Sequence, residues 1–452
     1  MPKRHGPSWQ TILIILGAAA LWIGLGLALN SDGGGTGAYN SYSGPVLPLT
    51  AVSGGENLET VRHVDFDFSP YEGYVPSVIS EGEVIVTDTY RLTNPTGEDV
   101  TARLVYPYEG RFQDERKYTP VLTVNGKAAD AELYASVDAE NQIFGAKDFQ
   151  EYKERMGQRD YFAEAMAHGP ELEFPVKVYH FTDITYQGDQ DYPYIFLTID
   201  FAIPEGAQVW ALHFDVLQSD KDGTYSIWMK DDLDEKDMAY LFVLNGDVEN
   251  LTFSGNLGHN ETQTSTLTDV TCEYDTYETT FDQLIWEFAQ VYDYWKFTDD
   301  SPEPGLITPE LLYRDAVKRM GAHVGQEYNG ITGAAVSLVS EFFYQSITSQ
   351  RLLYWVFDVT IPAGETVEVE AKYHQEASTD IGGPKKRREG YDMATQLGSR
   401  LHFTDLSASI TNPEFIEILR QNFGFNLKKN ITRVELSLEE ERYYLEVMGK
   451  ED

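Results

Sequence analysis

Residues 11–29 run for 19 positions without a charge, behind a segment that holds Lys3, Arg4 and His5 and no acid. At ~1.5 Å of rise per residue, ~20 apolar residues cross a ~30 Å hydrocarbon core, so this stretch predicts a membrane-spanning helix. Lys3 and Arg4 are the only charges among the first 30 residues of a chain whose net charge is −39. Because a positive flank stays in the cytoplasm, the expected topology is single-pass, with the N-terminus cytoplasmic and the C-terminal part extracytoplasmic. Cleavage as a signal peptide is the rival reading, with Gly26-Leu27-Ala28 as the small-x-small site.

The remainder is acidic: 73 Asp and Glu stand against 34 Lys and Arg. That excludes nucleic acid as a partner, since phosphate binding needs clustered positive charge. A hydrophobic fraction of 42% with 13% aromatics is too apolar for a disordered acidic chain and sufficient for substantial cores. Cys272 is the single cysteine, so no intrachain disulfide and no cysteine zinc site can form, and packing alone must hold the fold.

Read along the chain, residues 1–10 are a cytoplasmic N-terminus, 11–29 the transmembrane signal-anchor, and 30–57 a Gly-, Ser- and Pro-rich flexible linker. Residues 58–275 predict a β-rich domain with a helical insert near 147–167, and 276–452 an α/β second half with strands near 352–373 and 400–447. From Val61 the pattern has period two: Val64, Phe66 and Phe68 alternate with His63, Asp65 and Asp67. Asn94-Pro95-Thr96-Gly97 is a turn by residue chemistry, and Asn125-Gly126 supplies the positive φ of a type I′ hairpin between 121–124 and 128–134. Phe149, Tyr152, Met156, Tyr161, Phe162, Ala165 and Met166 space as helix, broken near Gly157. Helices are predicted over 280–297, from Thr308-Pro309 to about Met320, and from Glu414 to about Asn422 behind Asn412-Pro413. Asp200 to Gly206 matches Asp358 to Gly364 at an offset of 158. The pattern strand, Pro-x-Gly, strand fits either a duplicated unit or the common way a β-fold makes a corner. The fold class is therefore α+β, mainly β: one or more antiparallel β-sandwich domains with helical insertions, preceded by an N-terminal transmembrane helix.

No histidines are spaced as His-x-x-x-His or His-Glu-x-x-His, and neither a Gly-x-Ser-x-Gly elbow nor a phosphate-binding Gly-rich loop occurs, so the common zinc-hydrolase, serine-hydrolase and P-loop readings have no foothold. His213 with Asp215, and His63 with Asp65 and Asp67, share strand faces, as any solvent-facing strand arranges. Calcium suits an exported chain with surplus carboxylates. Asp220-Lys221-Asp222-Gly223 imitates a calcium loop but has Met229 where the bidentate Glu belongs. Asp231, Asp232, Asp234, Glu235 and Asp237 are the candidate calcium ligands, the competing reading being a solvated loop. Cys272 reads as an inert buried thiol. Trp286, Tyr292, Tyr294, Trp295 and Phe297 fit a helix stripe as well as a sugar platform. Lys385 to Arg388 is a basic run suited to an acidic partner or to solvent.

Tyr90 to Val100, followed by Tyr106-Pro107, resembles the paired strands of extracytoplasmic β-sandwich proteins of Gram-positive bacteria, of the VIT-like type. The resemblance implies a sandwich fold and carries over no functional residues. The function expected is that of a membrane-anchored, non-enzymatic envelope protein whose ectodomain binds a protein, a cell-wall polymer or a divalent cation. The alternative is an extracytoplasmic, carbohydrate-active hydrolase using carboxylate catalysis.

Overall fold

The computed structural model describes residues 39, 41–69, 83–114, 116–136, 145–169, 172–186, 194–212, 216–219, 224–230, 239–259, 262–267, 270–291, 308–321, 336–380 and 388–450. The expected spanning segment 11–29 lies outside them. Among the described residues the chain is mainly β, arranged in five sheets. No helix among the described residues is long and apolar enough to cross a membrane.

Strict alternation builds the first strands. In Glu59–Asp67 the buried positions are Thr60, Arg62, Val64 and Phe66, and in Glu83–Thr93 they are Val84, Val86, Asp88, Tyr90 and Leu92. These two pair antiparallel within a seven-stranded sheet ordered Arg433–Leu436, His402–Thr411, Glu59–Asp67, Glu83–Thr93, Thr366–Glu376, Val121–Val124, Lys127–Ala128. A four-stranded sheet, Thr50–Ser53, Val100–Gly110, Arg351–Ile361 and Ala131–Ala135, shares its core with the first. So does a third sheet containing Pro45–Val46, Arg388–Ala394, Arg442–Gly449 and Ile416–Gln421. At ~1.5–3 kcal/mol for each large apolar side chain fully buried, this core is the main source of cohesion. Its strand pairing joins residues on both sides of position 275: Val105 opposes Val356, and Asp65 opposes Ser409.

The described residues between 172 and 348 form two further sheets, one of which is covered on one face by the helices Phe281–Val291, Pro309–Gly321 and Val339–Thr348. Trp210, fully buried, packs there on Phe281 and Phe342. Asp315 of the second helix bonds Arg319 at 2.9 Å and Arg351 at 2.6 Å, a buried network that reaches the first residue of the strand Arg351–Ile361.

Both Ile-Pro-x-Gly segments are corners that pass the chain from one sheet to another, with Gly206 at φ 85° and Gly364 at φ 72°. Each has a companion corner alongside. The Asn94 Nδ2 donates to the carbonyls of Ile361 (2.9 Å) and Pro362 (3.3 Å), while Gly364 N donates to Asn94 O. In the central sheets Gly246 sits so close to the other corner that a Cβ would come within 2.9 Å of the Ala207 Cβ. The companion precedes the proline corner in one case and follows it in the other.

The return strand expected over 128–134 is broken after Ala128, with Ala131–Ala135 pairing instead beside Arg351–Ile361 in the four-stranded sheet, but the turn at Asn125 (φ 51°) and Gly126 (φ 73°) forms as its chemistry requires. So do the helices Phe149–Met156 and Tyr161–Met166, whose Asp148 and Asp160 caps accept from Glu151 N and Ala163 N. Two further expectations are corrected. The helix expected from Glu414 to about Asn422 is a single 3-10 turn, Pro413–Phe415, followed by the strand Ile416–Gln421. Asn412 adopts a left-handed backbone that redirects the chain, and pairing with Arg442–Gly449 outweighs the local helix signal. Of the stretch expected to be a flexible linker, residues 41–57 are instead packed: Val46, Leu47, Leu49 and Ala51 are buried, and strands form at Pro45–Val46 and Thr50–Ser53.

Candidate functional site

The two short helices lie on the outer face of the four-stranded sheet, where Phe149, Tyr152, Tyr161 and Ala165 pack on Val105, Leu352, Tyr354 and Val356. Gly157 ends the first helix, and the chain runs to Asp160 before the second begins. This break, the edge strand Thr50–Ser53 and the turn at 397–400 enclose a groove of about 480 Å³, within the range of small-ligand and peptide-side-chain sites. Its floor is Leu47, Val105, Pro107 and Tyr354, and its wall is Met156 with Tyr161 and Phe162. The Phe162 ring meets Tyr354 edge-on at 5.3 Å. At the rim Arg159 is held by Glu164 through two bonds of 2.8 and 2.7 Å, and the Asp160 carboxylate is engaged as a helix cap. Arg400 is exposed. The groove thus offers an apolar floor and a polar rim, with no acid–base pair directed into it.

A second constellation lies beneath residues 41–46. The Tyr42 hydroxyl donates to Asp392 Oδ2 at 2.6 Å, Ser43 N donates to Ser378 Oγ at 3.0 Å, and Gln375 Nε2 donates to Gly44 O at 3.2 Å. Burial pushes the Asp392 carboxyl up to about 6, with Arg442 and the Tyr42 bond opposing. Gly44, at φ 72°, lies against Glu109 so closely that a Cβ would sit 2.1 Å from Oε1, so only glycine fits. Burial pushes the Glu109 carboxyl up to about 8, its Oε1 having no hydrogen-bond partner among the described residues.

Of the described residues singled out by sequence, His63 and Asp65 meet through Ser409, and no larger cluster forms. His63 Nδ1 meets Ser407 Oγ at 2.8 Å and Nε2 meets Ser409 Oγ at 3.0 Å. Asp65 accepts from Ser409 and Thr411, and Asp67 from Ser69 and Asn412. His63 and Asp65 are thus linked through the shared Ser409 hydroxyl, whereas Asp67 is satisfied by Ser69 and Asn412, and burial followed by Arg433 lowers the His63 pKa. Among the described residues no group of three or more His, Cys, Asp or Glu is placed to hold a metal ion. Asp231, Asp232, Asp234, Glu235 and Asp237 lie outside the described residues, as do His213, Asp215, the segment 220–223, Tyr292, Tyr294, Trp295, Phe297 and the basic residues 385–387. Cys272, expected to be buried, is instead partly exposed, its thiol lying against the carbonyls of Thr182 and Glu273. Trp286 meets Tyr313 edge-on at 5.4 Å.

Sequence reasoning missed the most deeply buried ion pair. Arg62 and Asp88 are both 0% exposed, joined by Nε–Oδ1 at 3.0 Å and NH2–Oδ2 at 2.8 Å. The signal was present: Arg62 falls in phase with Val64 and Phe66, and Asp88 in phase with Val86 and Tyr90, so each is a charge on an apolar face. No family model matches the chain, and no curated protein matches it.

Proposed function

We propose that this chain is a membrane-anchored extracytoplasmic envelope protein whose acidic ectodomain, an antiparallel β-sandwich with helical insertions, is a non-enzymatic binding module. Its ligand is a segment of a partner protein, seated in the groove at the 157–160 break. The observation that carries this reading is the groove itself: Leu47, Pro107, Phe162 and Tyr354 line it with apolar side chains, while Arg159 and Asp160 at the rim are already bonded. Such a surface favours apolar side chains of a peptide over the hydroxyl-rich face of a sugar. A photo-cross-linking residue replacing Gln158 at the groove should capture a discrete adduct in intact cells. The same residue replacing Glu98, in another turn, should not, and Val52→Asp, at an exposed position lining the groove, should abolish the adduct. Identical adducts at both positions would sink the reading.

The anchor rests on residues 11–29 and their basic flank. Full-length protein is expected to stay in the membrane fraction after high-salt and carbonate washes. Quantitative release, with a mature N-terminus near Leu29, would mark a cleaved signal instead.

A carboxylate hydrolase is the second reading, favoured by Asp392 and Glu109, whose carboxyls are held above the usual range beside Tyr42 and Tyr152. Both are covered by residues 41–46, so activity would require that segment to lift. Hydrolysis of envelope glycan that survives Asp392→Asn and Glu109→Gln unchanged would remove these residues from consideration.

A further inference from the structure

We infer that Asn430 and Asn250 carry N-linked glycans. Asn430-Ile431-Thr432 and Asn250-Leu251-Thr252 are both Asn-x-Thr with no proline in the middle, the pattern of a glycan acceptor on an exported chain. The acceptor must be reachable, and its amide must be free to react. Asn430 closes the turn that follows Leu427–Lys429, with a left-handed backbone (φ 57°) and an exposed side chain. The turn is pinned below it by the reciprocal backbone bonds of Asn426 and Ile431, both 2.9 Å. Asn250, also at φ 57° and exposed, sits in the bulge where the register between Glu249–His259 and Tyr194–Ala202 shifts. A bulge turns its extra residue away from the ladder.

Of the three other left-handed asparagines among the described residues, two differ. Asn125 Oδ1 accepts from Glu368 N at 3.0 Å, and Asn412 Nδ2 donates to Asp67 at 2.7 Å, so those amides are occupied in holding turns. Among the described residues the amides of Asn430 and Asn250 have no such bond. Ile431, 41% exposed, is one of the few large apolar side chains left open to solvent, and a sugar on its neighbour would cover it.

The donor is an oligosaccharide carried on a polyprenyl phosphate or pyrophosphate. The Asn Nδ2 attacks C1 of the first sugar, and the C1–N bond forms as the C1–O bond to phosphate breaks. The lipid phosphate leaves with the electron pair, and the amide proton passes to a base of the transferring enzyme. No oxidant or reductant is involved. The inference rests on the extracytoplasmic reading, because such a donor presents its sugar on that side.

The test is peptide mapping by mass spectrometry on full-length protein purified from the cells that make it, alongside Asn430→Gln and Asn250→Gln produced in the same cells. Each substitution should remove the mass of one whole glycan. Unmodified peptides spanning both asparagines would overturn the inference. A membrane-impermeant amine reagent applied to intact cells separates the two ways of failing. If exposed Lys127 is labelled but no glycan is found, the inference falls alone; if Lys127 is unlabelled, the export reading falls with it.

Discussion

Asp88→Leu is expected to destabilise the protein by about 3–5 kcal/mol, the usual cost of breaking a buried ion pair from one side. Arg62 is fully buried, and its guanidinium is held by two bonds to Asp88 and by the carbonyl of Ala394 at 2.6 Å. Asp88 also accepts the Tyr90 hydroxyl at 2.6 Å. Removing the carboxylate leaves a positive charge sealed in the core and a phenol without its acceptor, each carrying a desolvation penalty. Arg62→Met combined with Asp88→Leu removes both charges and should recover much of the loss, since apolar replacement of a whole buried pair is often close to neutral. Urea unfolding of the three proteins gives the comparison, provided the slope stays constant. A single substitution costing less than ~1 kcal/mol, or a double variant no better than the single, would show that the pair is not a sealed unit.

The second large effect is in pH. An unfolded Glu ionises near ~4.3, whereas Glu109 in the folded protein ionises at about 8. Between those values the native state holds a proton that the unfolded chain has released, so stability falls as pH rises through the window and levels off above it. Asp392, raised to about 6 by burial, acts in the same direction between ~4 and 6. Glu83 acts the other way. Burial raises its pKa, but bonds from His374, Tyr118 and Lys117 outweigh this and hold it at about 2, so its contribution is lost as pH falls from ~4.5 towards 2. From these three groups stability should peak at pH ~4, with a melting temperature at pH 5 well above that at pH 8. Glu109→Gln keeps the shape and removes the charge, so it should raise the melting temperature much more at pH 8 than at pH 5. No gain at pH 8 would contradict the placement of Glu109 beneath Gly44.

How much of this was legible depended on how local the determining interactions are. The Asn125-Gly126 hairpin and the Asp148- and Asp160-capped helices were readable because a few adjacent residues settle them. Ile416–Gln421 was misread because Asn412-Pro413 can begin a helix or a single turn, and the partner strand that decides lies at Arg442–Gly449. Residues 41–57 look flexible by composition, yet Val46, Leu47 and Leu49 fill space supplied by distant strands. The groove was invisible in principle. Leu47, Val105, Tyr161 and Tyr354 come from segments far apart in the chain, and nothing about each alone distinguishes it from core.

The strand order also sets a timetable for synthesis. Val121–Val124 has only its own hairpin mate beside it until Thr366–Glu376 slots between it and Glu83–Thr93, and Val100–Gly110 waits equally long for Arg351–Ile361. At ~5–20 residues per second the ribosome needs ~10–50 s to supply those partners, during which the sheets at 172–348 can close on their own. The early strands spend that interval as open edges able to pair with neighbouring nascent chains. An early truncation anywhere after residue 136 and before residue 351 would therefore leave a sticky half-built sheet rather than a smaller stable protein.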